Sequence, residues 1–160
     1  MGTVRKMGTV SLVVLVAATL VAGLSAGLFY AFSCAVMPGL GRADDKSFVE
    51  GMRGINVGII NGWFFLSFLG APALAAVAGL LHLRSGATLW WIVAGFAFLV
   101  AVIVLTGAVH IPMNNALDAG GDAYAEVRTK FEASWVRWNV VRTLVSVAGF
   151  GCLVGALVSR

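Results

Sequence analysis

The chain has 160 residues, of which 60% are hydrophobic and 11% are charged, and its formal net charge is +4. A soluble domain carries about 25% charged residues, so this composition excludes an ordinary water-soluble fold and favours a lipid environment. The lysines and arginines are scattered rather than clustered on one face, which argues against a nucleic-acid partner.

Four long apolar runs follow one another along the sequence, and each has at least the ~20 residues needed to cross the hydrocarbon core of a bilayer. They cover residues 9–37, 55–83, 88–111 and 135–158. Pro38 and Pro112 are expected to end the first and third runs, because proline interrupts a helix. The chain is therefore predicted to be a single all-α domain, an antiparallel, up-down-up-down four-helix transmembrane bundle. We expect a multi-pass protein of the cell (inner) membrane, surrounded by lipid.

The connections between the runs are unequal. Residues 84–87 form a tight turn, which is expected on the same side of the membrane as both termini. The two longer connections carry all the acidic residues, and each is predicted to contain a short helical segment. One begins near Asp45–Ser47, a pattern typical of a helix start, and the other covers Tyr124–Phe131. Arg5 and Lys6 beside the first run favour cytoplasmic termini, although the longer connections carry more Lys and Arg.

Polar and aromatic residues inside the runs concentrate toward the side of the two long connections. A polar side chain within a span indicates a functional site. The residues come from all four runs: Tyr30, Ser33, Asn61, His110, Asn114, Trp135, Trp138, Asn139 and Arg142. We therefore expect a polar pocket in that half of the bundle, lined by tryptophans and phenylalanines.

Most of these residues also fit a purely structural role. Trp135 and Trp138 fit an interfacial aromatic belt. Asn61 and Asn114 fit hydrogen bonds between helices or a helix cap. His110 fits a buried core histidine, and no second histidine lies near it in the sequence, so no metal or haem site is expected.

Arg142 is the strongest functional candidate. It lies inside the fourth run, which contains no acidic residue. Burying a guanidinium at that depth costs roughly several kcal/mol of free energy unless the group is paired or reaches water. Its expected partners are Glu50, an Asn or Tyr oxygen, or an anionic ligand.

The polar residues belong to four short motifs. They are Tyr30-Ala-Phe-Ser33-Cys-Ala-Val-Met37-Pro38, Asn61-Gly-Trp63-Phe64-Phe65, His110-Ile-Pro112-Met-Asn114-Asn115-Ala-Leu117 and Trp135-Val-Arg-Trp138-Asn139-Val-Val-Arg142. In order and spacing they resemble the anthrone oxygenase family of small four-span membrane proteins, and the resemblance covers nearly the whole chain. Many members carry Asn where this chain has His110, so His110 is not a base shared by the whole family.

The resemblance implies oxidation of an anthrone to an anthraquinone by molecular oxygen, with no cofactor. On this interpretation Arg142 holds the developing oxyanion, and His110 or Tyr30 moves the proton. Further motif residues are implied to bind the substrate, an apolar aromatic small molecule: Ser33, Asn61, Trp63, Phe64, Asn114, Trp135, Trp138 and Asn139.

A second function class fits the same pocket. The alternative is a non-enzymatic membrane protein that binds an apolar small molecule or acts as an accessory or scaffold subunit. A homo-oligomer is left open in both interpretations.

Overall fold

A computed structural model of the chain describes the backbone of residues 2–160 and the side chains of residues 8–160. This described part is helical and contains no β-strand, which confirms the predicted all-α class. Within it, four helical segments are long and apolar enough to cross a membrane: Gly8–Leu40, Gly62–Leu81, Ala87–Ala119 and Tyr124–Val158. The chain is therefore a multi-pass membrane protein.

The helical elements of residues 2–160 make up the four spans and one additional amphipathic helix. In chain order they are α1 (Gly2–Ala31), the π-helical turn π1 (Phe32–Val36), α2 (Met37–Leu40), α3 (Asp45–Gly58), α4 (Gly62–Phe68), α5 (Gly70–Leu81), α6 (Ala87–Leu105), the π-helical turn π2 (Thr106–His110), α7 (Ile111–Ala119) and α8 (Tyr124–Val158). The first span joins α1, π1 and α2, the second joins α4 and α5, the third joins α6, π2 and α7, and α8 is the fourth.

Pro38 and Pro112 lie inside the first and third spans, so the expectation that they end these spans is wrong. A proline lacks an N–H group and clashes with the carbonyl four residues before it. Each proline is preceded by a π-helical turn, in which hydrogen bonds reach five residues back rather than four. In π1 the Met37 N–H donates to the carbonyl of Phe32, and π2 repeats this pattern. The widened turn lets the helix continue past the proline.

The second span is shorter than the predicted run 55–83, because α3 already ends at Gly58. Asn61 adopts an extended conformation with φ −143° and ψ 168°. Its side-chain oxygen accepts hydrogen bonds from the backbone N–H groups of Trp63 at 3.0 Å and Phe64 at 3.1 Å. Asn61 is therefore the N-cap of α4, a position that asparagine favours over a helix interior.

Both long connections contain helical residues. α3 begins at Asp45, and the carboxylate of Asp44 caps it by accepting hydrogen bonds from the Ser47 hydroxyl at 2.6 Å and the Ser47 N–H at 3.0 Å. These bonds, led by the hydroxyl, hold the pKa of the exposed Asp44 carboxyl below its usual value. The segment predicted at Tyr124–Phe131 is the beginning of α8 rather than a separate helix.

Contacts at the two ends of the bundle show which segments lie together. α8 packs against α1 and α6, and α1 also packs against α5. At one end, the Thr88 hydroxyl donates to the carbonyl of Ser159 at 3.1 Å, and Arg160 donates to the carbonyl of Gly8 at 3.3 Å. At the other end, α3 packs against α7 and α8. The expected cytoplasmic position of the termini rests on Arg5 and Lys6, and both lie outside the residues whose side chains are described.

Arg53 fastens α3 to the end of α7. Its Nη2 donates to the carbonyls of Leu117 at 2.9 Å and Gly121 at 2.8 Å. Its Nη1 also pairs with Glu50 at 2.8 Å. Because the last carbonyls of a helix have no partner within that helix, this guanidinium serves as a cap for α7.

Arg128 makes the corresponding connection from α8 to the turn before α3. It donates to the carbonyls of Gly41 and Ala43, each at 2.8 Å. It also pairs with Glu132 at 2.7 Å and with Asp45 at 3.1 Å. The two arginines therefore hold α3 across the end of the bundle that carries the long connections.

Arg128→Met is expected to lower the free energy of unfolding by about 2 kcal/mol, because carbonyl acceptors and carboxylates lose a charged donor. Lys130→Met is the matched control on the same helix, since Lys130 and Glu126 form an ion pair in which both side chains are largely exposed. Such a pair contributes little to stability. Thermal melting in detergent measures both variants, and equal melting temperatures would contradict the role given to Arg128.

Candidate functional site

A layer of buried and half-buried polar side chains crosses the bundle between two apolar clusters. The cluster toward α3 consists of Phe32, Met37, Phe48, Val49, Met52, Leu117, Phe131 and Trp135. The cluster toward the chain ends consists largely of small residues: Leu15, Ala18, Ala22, Ala71, Ala75, Ala78, Ile92, Leu99, Leu153 and Ala156. Along the helices, the polar layer lies between them and consists of Ser33, Thr106, His110, Asn139, Arg142 and Thr143. The two π-helical turns supply the first three of these residues.

Arg142 is the charged centre of the polar layer, with 6% of its surface exposed. Its Nη2 donates to the side-chain oxygen of Asn139 at 2.7 Å, and its Nη1 lies 3.5 Å from the Thr106 hydroxyl. The guanidinium carbon lies 4.2 Å from the ring centre of Phe29 and 5.6 Å from that of Trp135. Its Nε has no hydrogen-bond partner in the described part of the chain.

No carboxylate pairs with Arg142 among residues 8–160. Glu50 was one expected partner, but it pairs with Arg53 on the surface of α3, so that expectation is wrong. Asn139 supplies the expected amide oxygen instead. A buried cation with neutral protein partners keeps a strong attraction for a negative charge.

Asn139 holds Arg142 in place. Its side-chain nitrogen donates to the Ser33 hydroxyl at 2.8 Å and to the carbonyl of Phe29 at 3.2 Å, while its oxygen accepts from Arg142. The Ser33 hydroxyl also lies 3.0 Å from that of Thr143. Asn139 and Ser33 were expected to contact substrate, but both already have protein partners. Their geometry suits the orientation of Arg142.

His110, the last residue of π2, is 1% exposed. The His110 and Trp135 rings meet edge to face, with centres 5.5 Å apart. His110 Nδ1 lies 3.4 Å from the carbonyl of Leu105, and its Nε2 has no partner within residues 8–160. His110 and Arg142 therefore both lie against Trp135.

Trp135 is a core residue, so the aromatic-belt alternative fails for it. It is 3% exposed, and its indole N–H donates to the side-chain oxygen of Asn114 at 3.0 Å. Asn114 thus makes a hydrogen bond between helices, which was the structural alternative for it. Trp138 is 36% exposed at the side of α8 and stays compatible with a belt position.

The predicted convergence of Tyr30 with Arg142 is wrong. Tyr30 is 58% exposed, whereas its neighbour Phe29 is buried beneath the guanidinium. Successive residues on an α-helix point about 100° apart, and the buried positions Ala22, Ala26 and Phe29 set the inner face of α1. Tyr30 consequently lies beyond the edge of that face, and it is not in position to move a proton at Arg142.

The motif at the start of α4 also lies apart from the polar layer. Asn61 caps α4, and Trp63 is 83% exposed. Phe64 lines a surface groove of about 390 Å³ between α1 and α4. The expectation that Asn61 converges with His110 and Arg142 is therefore wrong, because the asparagine is used at the helix end.

A second groove, of about 340 Å³, lies between α7 and the start of α8. It is lined by Met113, Ala116, Leu117, Gly120, Ala123, Glu126, Val127, Lys130 and Phe131. Neither groove is lined by His110 or Arg142. The sequence predicted a single polar pocket, whereas the structure has a buried polar layer and two surface grooves that lie apart from it.

Some residues in or beside the polar layer were not singled out from the sequence. Thr143 and Ser146 follow Asn139 and Arg142 by four residues, and this spacing places them on the same face of α8. Both are buried, and the Ser146 hydroxyl has no partner among the described residues. Phe29, the platform under Arg142, carried no signal beyond its apolar character.

Polar groups are also buried in the half of the bundle near the chain ends, contrary to expectation. Ser11, Thr19 and His82 hydrogen-bond to carbonyls of the preceding helical turn, which lowers the cost of burying them. The Nε2 of His82 has no partner among the described residues. Within the described residues, no group of three His, Cys, Asp or Glu side chains lies close enough together to hold a metal ion.

The fold and the site together define a class: a small four-span membrane protein with a buried Arg-His-Trp constellation. The chain belongs to the anthrone oxygenase family, whose sequence pattern matches residues 63–152, more than half of its length. The matched segment includes His110, Trp135 and Arg142. No curated protein and no solved structure matches the chain.

Proposed function

We propose that the protein oxidises an anthrone-type polycyclic aromatic to the corresponding anthraquinone with molecular oxygen, without a cofactor. One anthrone and one oxygen molecule give one anthraquinone and one water. The ring methylene loses two hydrogens and becomes a carbonyl. One atom of the oxygen molecule enters the product, and the other leaves in water, so no external reductant is required.

The observation that carries this proposal is the pairing of Arg142 and His110 around Trp135. Arg142 is a buried cation without a carboxylate partner in residues 8–160, and the Nε2 of His110 is a buried, unpaired nitrogen. A buried donor aimed at developing negative charge is one of the strongest contributions that a protein makes to catalysis. An unpaired imidazole nitrogen is a suitable proton acceptor.

The reaction begins with the phenol tautomer of the anthrone. His110 Nε2 takes the phenol proton, and Arg142 stabilises the resulting oxyanion. The electron-rich oxyanion passes one electron to molecular oxygen, and the two radicals combine by forming a C–O bond at the ring carbon opposite the oxyanion. The proton returns from His110 to the new peroxide. Loss of the remaining hydrogen of that carbon, with cleavage of the O–O bond, forms the carbonyl and releases water.

Aromatic and apolar walls would complete such a site. Trp135 and Phe29 flank the guanidinium, and an apolar surrounding strengthens the attraction between the guanidinium and an oxyanion. The proposal places the protein in the cell (inner) membrane. Apolar polycyclic substrates dissolve there, which suits an enzyme with four membrane spans.

The test is an oxygen-uptake assay on the purified protein in lipid nanodiscs with dithranol, a dihydroxyanthrone. We expect equal consumption of dithranol and oxygen and formation of the dihydroxyanthraquinone. Isotopically labelled oxygen gas should place one labelled atom in the quinone. Empty nanodiscs measure the spontaneous oxidation of dithranol. A rate no higher than in empty nanodiscs would reject the proposal.

The alternative is a protein that binds an apolar aromatic without converting it. The groove between α1 and α4 favours this alternative, because it is open at the surface while Arg142 and His110 are buried. Saturable binding of dihydroxyanthraquinone without any acceleration of dithranol oxidation would support the binding function.

A further inference from the structure

The groove between α1 and α4 opens on the outer surface of the bundle. Its lining residues are Val21, Leu24, Leu28, Ile59, Asn61, Trp63, Phe64, Leu66 and Ser67. The polar members are turned to their own backbone, since the Ser67 hydroxyl donates to the carbonyl of Phe64 and the Asn61 side chain caps α4. The groove therefore presents apolar and aromatic surface to the bilayer. Its volume of about 390 Å³ falls within the range of small-molecule sites.

Three aromatic rings connect the wall of this groove to Arg142. Phe64, in the wall, is stacked on Phe68 with ring centres 4.9 Å apart and planes 15° apart. Phe68 meets Phe29 edge to face at 6.3 Å. Phe29 lies under the guanidinium of Arg142 at 4.2 Å. A ring system in the groove would contact one end of this series, and the unpaired cation stands at the other end.

The backbone is interrupted before α4 but not after it. Residues 59–61 separate α4 from α3, with Asn61 extended. At the other end the backbone stays helical through Leu69 into α5, where the Leu69 N–H donates to the carbonyl of Phe65 at 2.9 Å. Phe64 and Phe68 therefore lie one turn apart at the start of the second span, next to the break in the chain.

We infer that this groove is a lateral site through which a planar polycyclic aromatic leaves the bilayer on its way to Arg142. The inference rests on the proposed function, since it supplies the path by which the substrate reaches the buried site. A lipid acyl chain also fits an apolar groove, but it cannot stack on the ring of Phe64 as a planar aromatic does. A planar phenol also has a charge partner to reach, Arg142, at the far end of the ring series.

The other groove fits this role less well. Its rim carries the exposed Glu126–Lys130 ion pair. From its wall, Phe131 leads to Trp135 with ring centres 6.0 Å apart and planes 30° apart. This route begins at a charged, water-accessible surface. An apolar substrate dissolved in lipid would not collect at such a surface.

The experiment uses an azidoanthraquinone photolabel on the full chain in detergent, with adducts mapped by mass spectrometry. Leu24→Trp fills the groove from the α1 side. Leu20→Trp is the matched control, because Leu20 lies one turn away on the same helix, is similarly exposed (64% against 67%) and does not line the groove. We expect adducts in residues 21–28 and 59–67, reduced about tenfold by Leu24→Trp, which corresponds to ~1.4 kcal/mol of lost binding, and unchanged by Leu20→Trp.

Two observations test the inference: which competitor suppresses the photolabelling, and where in the chain the adducts lie. Excess dihydroxyanthraquinone should suppress the labelling, and excess phosphatidylcholine should not. Suppression by phosphatidylcholine, adducts spread over all lipid-facing helices, or adducts in residues 113–131 would each overturn the inference. Because labelling needs no turnover, specific labelling of the groove without oxygen uptake would reject the oxygenase and retain the site. Oxygen uptake with scattered labelling would reject the lateral site and retain the oxygenase.

Discussion

Arg142→Leu is expected to lower the rate of dithranol oxidation by about 100- to 1,000-fold, the usual effect of removing one donor to a developing oxyanion. Leucine keeps part of the bulk of the side chain over Phe29 but removes the charge. In the proposed mechanism the oxyanion forms before the electron moves to oxygen, so the loss should fall on the chemical step. Oxygen uptake in nanodiscs measures the rate.

The melting temperature of the same variant distinguishes a catalytic from a structural role. Breaking a buried ion pair leaves an unpaired charge and costs about 3–5 kcal/mol, but Arg142 has no carboxylate partner within residues 8–160. The change removes a buried cation that has only neutral partners, and it leaves the side-chain oxygen of Asn139 without its donor. We therefore expect the melting temperature in detergent to hold or rise.

Two further variants control this experiment. Arg137→Leu removes an exposed arginine from the same helix and should leave both turnover and melting unchanged. Arg142→Lys keeps the charge but not the planar donor group, and it should retain part of the activity. A clear fall in the melting temperature of Arg142→Leu with unchanged turnover would show that Arg142 is a structural residue.

The spans and the buried face of α8 could be predicted from sequence because they depend on simple periodicities. Length and hydropathy give four spans. The spacing of Trp135, Asn139 and Arg142 at i, i+4 and i+7 gives one buried face, and all three are at most 6% exposed. Trp138 belongs to the same pattern, but it lies at the edge of the face and is partly exposed.

The sequence-based predictions fail where a local backbone feature changes the helical phase or ends a helix. The π-helical turns before Pro38 and Pro112 replace the expected helix ends, because a proline within a membrane span can be accommodated by a wider turn. Asn61 became a helix cap, which separated it and Phe64 from the polar layer. Tyr30 was assigned to the site by its motif, whereas the packing of Phe29 decides the inner face of α1. Contacts between helices decide whether Phe29 or Tyr30 faces the inside of the bundle, and the periodicity of one helix does not encode these contacts.

His110→Phe is expected to lower dithranol oxidation by about 100- to 10,000-fold, the range typical of removing a positioned acid or base. Phenylalanine keeps the edge-to-face contact with Trp135 and removes both nitrogens. The Nε2 that is lost has no partner in the described part of the chain, and the contact of Nδ1 with the carbonyl of Leu105 is long, at 3.4 Å, so the fold should be little destabilised. His82→Phe is the matched control. His82 is also buried, hydrogen-bonds through Nδ1 to a carbonyl of its own helix and has an unpaired Nε2, but it lies near the other end of the bundle. The His82→Phe variant should therefore oxidise dithranol at the wild-type rate.

His110→Asn introduces the residue that many family members carry. This variant separates proton transfer from hydrogen bonding, because asparagine donates and accepts hydrogen bonds but does not take up a proton. Low activity in both His110 variants would support proton transfer by His110. Full activity in His110→Asn would assign the proton to solvent or to the substrate itself and leave position 110 with a hydrogen-bonding role, and equal activity of His110→Phe and His82→Phe would remove His110 from the site.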